Sequence, residues 1–146
     1  MGVGRDTLVV FETRTLPADR TVVAPDGSDV RVMLGLAAGG MAHFEIAPGE
    51  VSIAVRHRTV EEVWFILAGR GEMWRRQATD ETTVDLVAGV GLTIPLGTEF
   101  QFRSHGPGPL TIVAVTMPPW PGAGEAIRAA GPWTPTLAAG PGLAEH

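Results

Sequence analysis

His57 and Glu62 are the pair on this chain whose residue types and spacing could do chemistry together. The 146-residue sequence offers few alternatives. It has 4 His and 16 Asp and Glu, and it contains no Cys, Lys, Tyr or Asn, so all 11 basic side chains are Arg. Cysteine nucleophiles, Schiff-base lysines and tyrosine acids are therefore excluded. Serine occurs at Ser28, Ser52 and Ser104, none of them in a G-x-S-x-G turn. Proton transfer or metal ligation falls to imidazole and carboxylate groups.

Alternation decides where these groups point. Residues two apart in a strand share a face. Val51, Ile53, Val55 and His57 then line one face, Glu62, Trp64 and Ile66 a second, and Phe100 and Phe102 a third. The apolar face of a small barrel is its interior. His57 and Glu62 are thus expected to point inward, into a pocket lined by Ile53, Val55, Trp64, Ile66, Phe100 and Phe102. A one-residue bulge would turn Glu61 inward instead. A buried carboxylate without a partner is costly, and His57 is the partner at hand. The expected device is a carboxylate hydrogen-bonded to an imidazole, fixing its tautomer and raising its basicity. Such a general base suits proton abstraction beside a carbonyl, as in isomerisation, dehydration or cyclisation. Trp64, Phe100 and Phe102 either offer faces to a flat substrate or pack the barrel.

The elements that must position this pair are short strands. Gly (19) and Pro (12) punctuate the chain. Between them lie apolar or alternating runs: Leu8 to Phe11, Val30 to Leu36, Met41 to Ile46, Val51 to Val55, Val63 to Leu67, Val84 to Val87, Leu92 to Ile94, Phe100 to Arg103 and Leu110 to Thr116. Many short strands between turn signals predict an all-β sandwich or barrel. Pro25-Asp26-Gly27-Ser28, Ala47-Pro48-Gly49 and Ala68-Gly69-Arg70-Gly71 read as turns, and Gln77 to Thr82 as a polar loop at a hairpin tip. Gly124 to Ala130 is the best helix candidate, at one or two turns. The spacing predicts a single domain over residues 1–146, with a barrel at about 28–117 and a Pro-, Gly- and Trp-containing arm at 118–146. Trp120 and Trp133 are expected to pack on the barrel or on a second subunit, and Leu137 to His146 to fray.

Composition sets the outer bounds. The chain is 45% hydrophobic with mean hydropathy +0.16, enough for a packed core. Net charge is -5, and no basic run exceeds Arg75-Arg76, which argues against nucleic acid or an anionic membrane as partner. No apolar stretch is long enough to span a bilayer. The first residues lack the basic-then-apolar order of a signal peptide. A cytoplasmic protein is the expectation, and the absence of cysteine fits it.

Two spaced patterns resemble those of the cupin superfamily. In the first, Gly49 opens, Val55-Arg56-His57 holds the His-x-His place, and Glu62 and Gly69 follow at the family's offsets. In the second, Gly89 opens, Pro95-Leu96-Gly97 follows, Phe100 holds the His place and Ser104 that of Asn. The strings His57 to Phe65, Gly69 to Arg75 and Thr116 to Gly122 are similar to small bacterial single-domain cupins. The resemblance implies a double-stranded β-helix, or jelly-roll-like, barrel of two packed antiparallel sheets, often a homodimer, and no particular substrate. It also implies a metal position at which His57 and Glu62 are two donors, while Val55 and Phe100 stand where the others belong. A catalytic divalent ion generally needs three protein ligands. His43 alternates to the opposite face from Ala42, Phe44 and Ile46, Gln101 to the outer face from Phe100, and His105 falls beside a Gly-Pro turn. No tightly bound cofactor is therefore expected; Zn, Fe, Mn or Ni would be held weakly by His57 and Glu62. The expected function is metal-free or weakly metal-assisted proton transfer on a small molecule. The alternatives are a divalent-metal dioxygenase or isomerase, and a binding or sensing module without turnover.

Overall fold

The computed structural model describes residues 8–145. Eleven strands make up the fold, in chain order β1 (Val22–Val23), β2 (Asp29–Leu36), β3 (Gly39–Ile46), β4 (Val55–His57), β5 (Glu61–Ala68), β6 (Arg70–Gln77), β7 (Asp80–Val87), β8 (Gly91–Ile94), β9 (Glu99–Ser104), β10 (Leu110–Met117) and β11 (Ala126–Arg128). A six-stranded sheet has the order β1-β2-β3-β10-β5-β8, and a five-stranded sheet the order β11-β4-β9-β6-β7. The ladders between these strands are antiparallel. The expected all-β barrel of two packed sheets is the observed architecture.

The core is the pair of inner faces. Strand β10 alternates strictly, burying Leu110, Ile112, Ala114 and Thr116. β5 does the same with Glu62, Trp64 and Ile66, so Glu62 faces inward and Glu61 outward. Met73, Leu86, Phe100 and Phe102 meet them from the other sheet. Each such side chain contributes about 1.5–3 kcal/mol on full burial, and this apolar stripe is what fixes strand register. At Gly71 the sheet allows no side chain, since a Cβ there would overlap the Arg103 carbonyl.

Several expected elements differ. Residues 8–11 lie outside any strand, with Leu8, Val9, Val10 and Phe11 all exposed. Val51 to Val55 ladders only at the Val51–Arg103 bridge before β4 begins. The intervening amides bond elsewhere, Ser52 N to Phe102 O and Ile53 N to Asp26 O. Residues 77–82 are not a loop: β6 and β7 pair up to Gln77–Asp80, and the turn is Ala78 and Thr79 alone. β6 itself was not among the expected strands. Gly124 to Ala130 is no helix. Gly124 has a left-handed φ of 84°, and Ala126 to Arg128 pair with β4. One or two helical turns gain little in isolation, whereas β4 has an edge that needs a partner.

The arm does not fray. Leu137 and Leu143 pack on the core, Gly140 N donates to Ala24 O, and Ala144 bridges Ile127. His146 is outside the described residues. Gln101 does alternate to the outer face, yet it is fully buried because the arm covers it. Its amide donates to Ser52 O (2.8 Å) and Trp133 O (2.9 Å) and accepts from Trp133 N (3.1 Å). The Arg103 guanidinium lies 4.1 Å from the Trp133 ring centroid. Gln101→Ala strands these backbone groups and is expected to lower unfolding free energy by about 2–3 kcal/mol. Urea titration with an unchanged m-value measures this; a loss below about 0.5 kcal/mol would mean the amide does not anchor the arm.

Candidate active site

His57 ends β4 and Glu62 is the second residue of β5, so the short connection between the strands sets their separation. That connection is pinned from the arm. Thr59 N (2.8 Å) and Val60 N (2.9 Å) donate to one oxygen of Glu125, and Thr59 Oγ1 (2.7 Å) to the other. Arg58 N donates to Glu125 O, and Arg58 Nε to Gly124 O at 2.8 Å. Burial pushes the Glu125 carboxyl up, but the Thr59 and Val60 hydrogen bonds outweigh it, and the net shift is downward. Glu125 is a buried carboxylate of the arm that holds the loop carrying the pair. The chain signal for it was slight, one of two acids in a Gly- and Ala-rich tail.

The pair itself departs from the expected device. His57 Nδ1 and Glu62 Oε2 are 3.9 Å apart, beyond hydrogen bonding. Glu62 instead accepts from Trp64 Nε1 at 2.7 Å. His57 Nδ1 is buried without a hydrogen-bond partner. The ring is held edge-on by Phe100 (5.3 Å between centroids) and Trp120 (5.0 Å). Burial lowers the His57 pKa to about 4, against the opposing charge of Glu125. Burial raises that of Glu62 to about 8; the Trp64 hydrogen bond opposes this, and the charges of Asp26 and Glu125 add to it. Between those values both groups are neutral, and the contact is not an ion pair. Imidazole basicity is lowered, not raised, because desolvation exceeds any carboxylate field.

Both groups open onto a cavity of about 650 Å³, within the range of small-molecule sites. Of the six residues expected to line it, Val55 and Phe100 do. Ile53, Trp64, Ile66 and Phe102 are core instead. Trp64 stands edge-on to Phe100 (5.8 Å) and Phe102 (5.1 Å), so these rings fill the barrel behind the cavity. Further lining comes from β2 and β3, through Met33, Met41 and Phe44, from the arm, through Trp120, and from β1 and the segment before it. Inward Ala42 and Phe44 and the tail tryptophan were the available signals. Asp26, a buried carboxyl that Ser28 N (3.0 Å) and Ser28 Oγ (2.7 Å) both bond, also faces it. In the sequence it reads only as a turn residue. Burial raises its pKa, against both Ser28 hydrogen bonds.

The donors do not fit the metal position that the sequence patterns imply. His57 and Glu62 supply two, Val55 and Phe100 none, and among the described residues no group of three His, Cys, Asp or Glu could hold an ion. His43 stands level with Arg31 and Val113 on β3. It points away from the cavity that its neighbours Ala42 and Phe44 line. His105 is half-exposed and meets Glu72 at 3.1 Å.

A family model, the cupin domain, matches residues 42–116, just over half of the chain. No curated protein matches. Solved structures share the fold. An oxalate oxidase in complex with glycolate has 18% identity and a TM-score of 0.60, with 72% of this chain and 58% of that one covered. A protein from Bacillus halodurans has 18% identity and a TM-score of 0.57, covering 84% and 81%. The capsular polysaccharide assembling protein CapF from Staphylococcus aureus has 14% identity and a TM-score of 0.56. Its overlap takes in 62% of this chain, which spans only 28% of CapF. At such identities the likeness extends to the fold alone.

The raised Glu62 pKa has a consequence for stability. The folded state keeps this proton above the unfolded carboxyl's pKa, so stability falls as pH rises from about 4.5 to about 8. Glu62→Gln removes the titration. Its melting temperature is expected to gain on the wild type by several degrees across that window and to hold a constant offset above it. A gap independent of pH in thermal melts would show that Glu62 is ionised in the folded protein.

Proposed function

The chain is a member of the cupin family, and we propose that within it this protein is a small-molecule enzyme that moves protons at an enolisable carbonyl compound. The observation that carries the reading is the pair: a buried carboxyl and a buried, unpartnered imidazole nitrogen 3.9 Å apart beside one largely apolar cavity. Buried titratable groups with opposed shifts mark acid and base assignments.

The roles follow from the protonation states. Glu62 carries the proton and is the acid; its Oε2–H donates to the substrate carbonyl oxygen. His57, with its own hydrogen on the buried Nδ1 that faces Glu62, is the base; its Nε2 lone pair takes the proton from the neighbouring carbon. The C–H bond breaks, its electron pair forms the C=C of the enol, and the carbonyl oxygen gains the proton of Glu62. The enol then returns its O–H proton to the Glu62 carboxylate as the carbonyl re-forms, and the His57 proton goes to the same carbon or a conjugated one, giving exchange or isomerisation, or to a departing β-hydroxyl, which leaves as water in a dehydration. A base with a pKa of about 4 is weak. The reading therefore favours a C–H already acidified by a second carbonyl or a conjugated system. Trp120 and Phe100 beside His57 offer ring edges to a flat substrate. The donor set supports no step through a metal.

The test is solvent deuterium incorporation into a panel of conjugated and 1,3-dicarbonyl compounds, followed by NMR. His57→Ala and Glu62→Gln are each expected to lose 10²–10⁴-fold in enzyme-dependent exchange. Exchange unchanged in His57→Ala overturns the reading, and ligand binding with no exchange in any compound makes the cavity a binding module.

The pH profile is a second check. kcat/KM should rise through about 4 as His57 loses its proton and fall through about 8 as Glu62 ionises. Glu62→Gln should abolish the upper limb while leaving the lower; an upper limb that survives assigns it to another group.

A further inference from the structure

Among the described residues the cavity mouth carries one arginine. Arg14, on the segment before β1, lines the cavity together with Glu12. Its Nη1 donates to Val32 O at 3.3 Å, which ties the guanidinium to the β2 edge. Among the described residues no carboxylate lies within ion-pair distance of it, whereas Arg20, Arg31, Arg76, Arg103 and Arg128 each have one. A guanidinium has five N–H donors, so the Val32 contact leaves most of them available. The interior is of the opposite character. Met33, Leu34, Met41 and Phe44 are apolar, and the inner polar groups are Thr116, His57 and the carboxyls of Asp26 and Glu62.

We infer that the ligand is an amphiphilic organic acid, whose anionic head pairs with Arg14 at the mouth while its apolar or aromatic body fills the cavity. This rests on the cavity being the binding site of the proposed enzyme. The charges set the orientation. An anion pushed inward would lose its hydration among apolar side chains and two carboxyls, with no cation there to pair it. At the mouth it stays hydrated and can accept two parallel N–H bonds from the guanidinium. Glu12, two residues from Arg14, opposes such a head. It tunes the affinity downward, and its removal should strengthen binding. About 650 Å³ is room for a body of two or three fused rings or a branched chain of similar bulk.

Two dyes with the same aryl body separate head from body: 8-anilinonaphthalene-1-sulfonate, an anion, and N-phenyl-1-naphthylamine, which is neutral. Fluorescence titration of the full-length protein at low salt measures both. Arg14→Gln should weaken the anionic dye by about tenfold and leave the neutral dye within about twofold, which also shows that the variant is folded. Glu12→Gln should tighten the anionic dye by about two- to fivefold. Added salt should erode the wild-type preference for the anion. Equal effects of Arg14→Gln on both dyes, no effect on either, or no binding of either dye to the wild type overturns the inference. Glu62→Gln should leave the anion-to-neutral preference unchanged. Failure of the head-group assignment is thereby read separately from failure of proton transfer, which the deuterium exchange reports.

Discussion

Everything at the site depends on the withdrawal of water from two ionisable side chains that no countercharge touches directly. A carboxyl and an imidazole placed in an apolar cavity can pair, bind an ion or give up their charges. Here the 3.9 Å gap prevents a hydrogen bond and two missing donors leave no cage for an ion, so desolvation neutralises both. The usual order is inverted, with the carboxyl the more basic of the two. Trp64 Nε1 on Glu62 favours the ionised form, and it is outweighed. The barrel therefore sets a carboxyl with a raised pKa beside an imidazole with a lowered one, both lining the same cavity.

Rigidity around the pair comes from three sources. The ring cluster of Phe44, Trp64, Phe100 and Phe102 is interlocked edge to face, which leaves the rings little freedom. β5 is paired on both sides, by β10 and β8, so Glu62 stands on a strand with no free edge. His57 is on a three-residue strand held between β9 and β11. β11 belongs to the arm, as does Glu125, so one side of the site is built from sequence outside the region that matches the family model.

The sequence made the barrel legible where alternation was clean. β5 and β10 each bury every second residue, and their boundaries fall within two residues of those read from the pattern. β6 escaped notice because Arg70-Gly71-Glu72-Met73-Trp74-Arg75-Arg76 has no such rhythm. Met73 and Trp74 are both buried, the indole reaching Glu81 across the hairpin. The arm was illegible for a different reason. Gln101, Glu125 and Thr136 hold it through hydrogen bonds to partners distant in sequence, and no local propensity encodes those. At the site, the inward aim of His57 and Glu62 followed from strand period alone. Their protonation did not, since it depends on Asp26, Glu125 and the depth of the cavity, which exist only once the chain is folded.

The Glu125 clamp also dates the site within the life of the molecule. A chain leaving the ribosome can close its ladders through β10 while the tail is still in the exit tunnel. The connection between His57 and Glu62 then has no carboxylate to hold it. His57 and Glu62 acquire their spacing only when the arm from residue 118 onward arrives and docks, so the barrel is shaped before the pair is set.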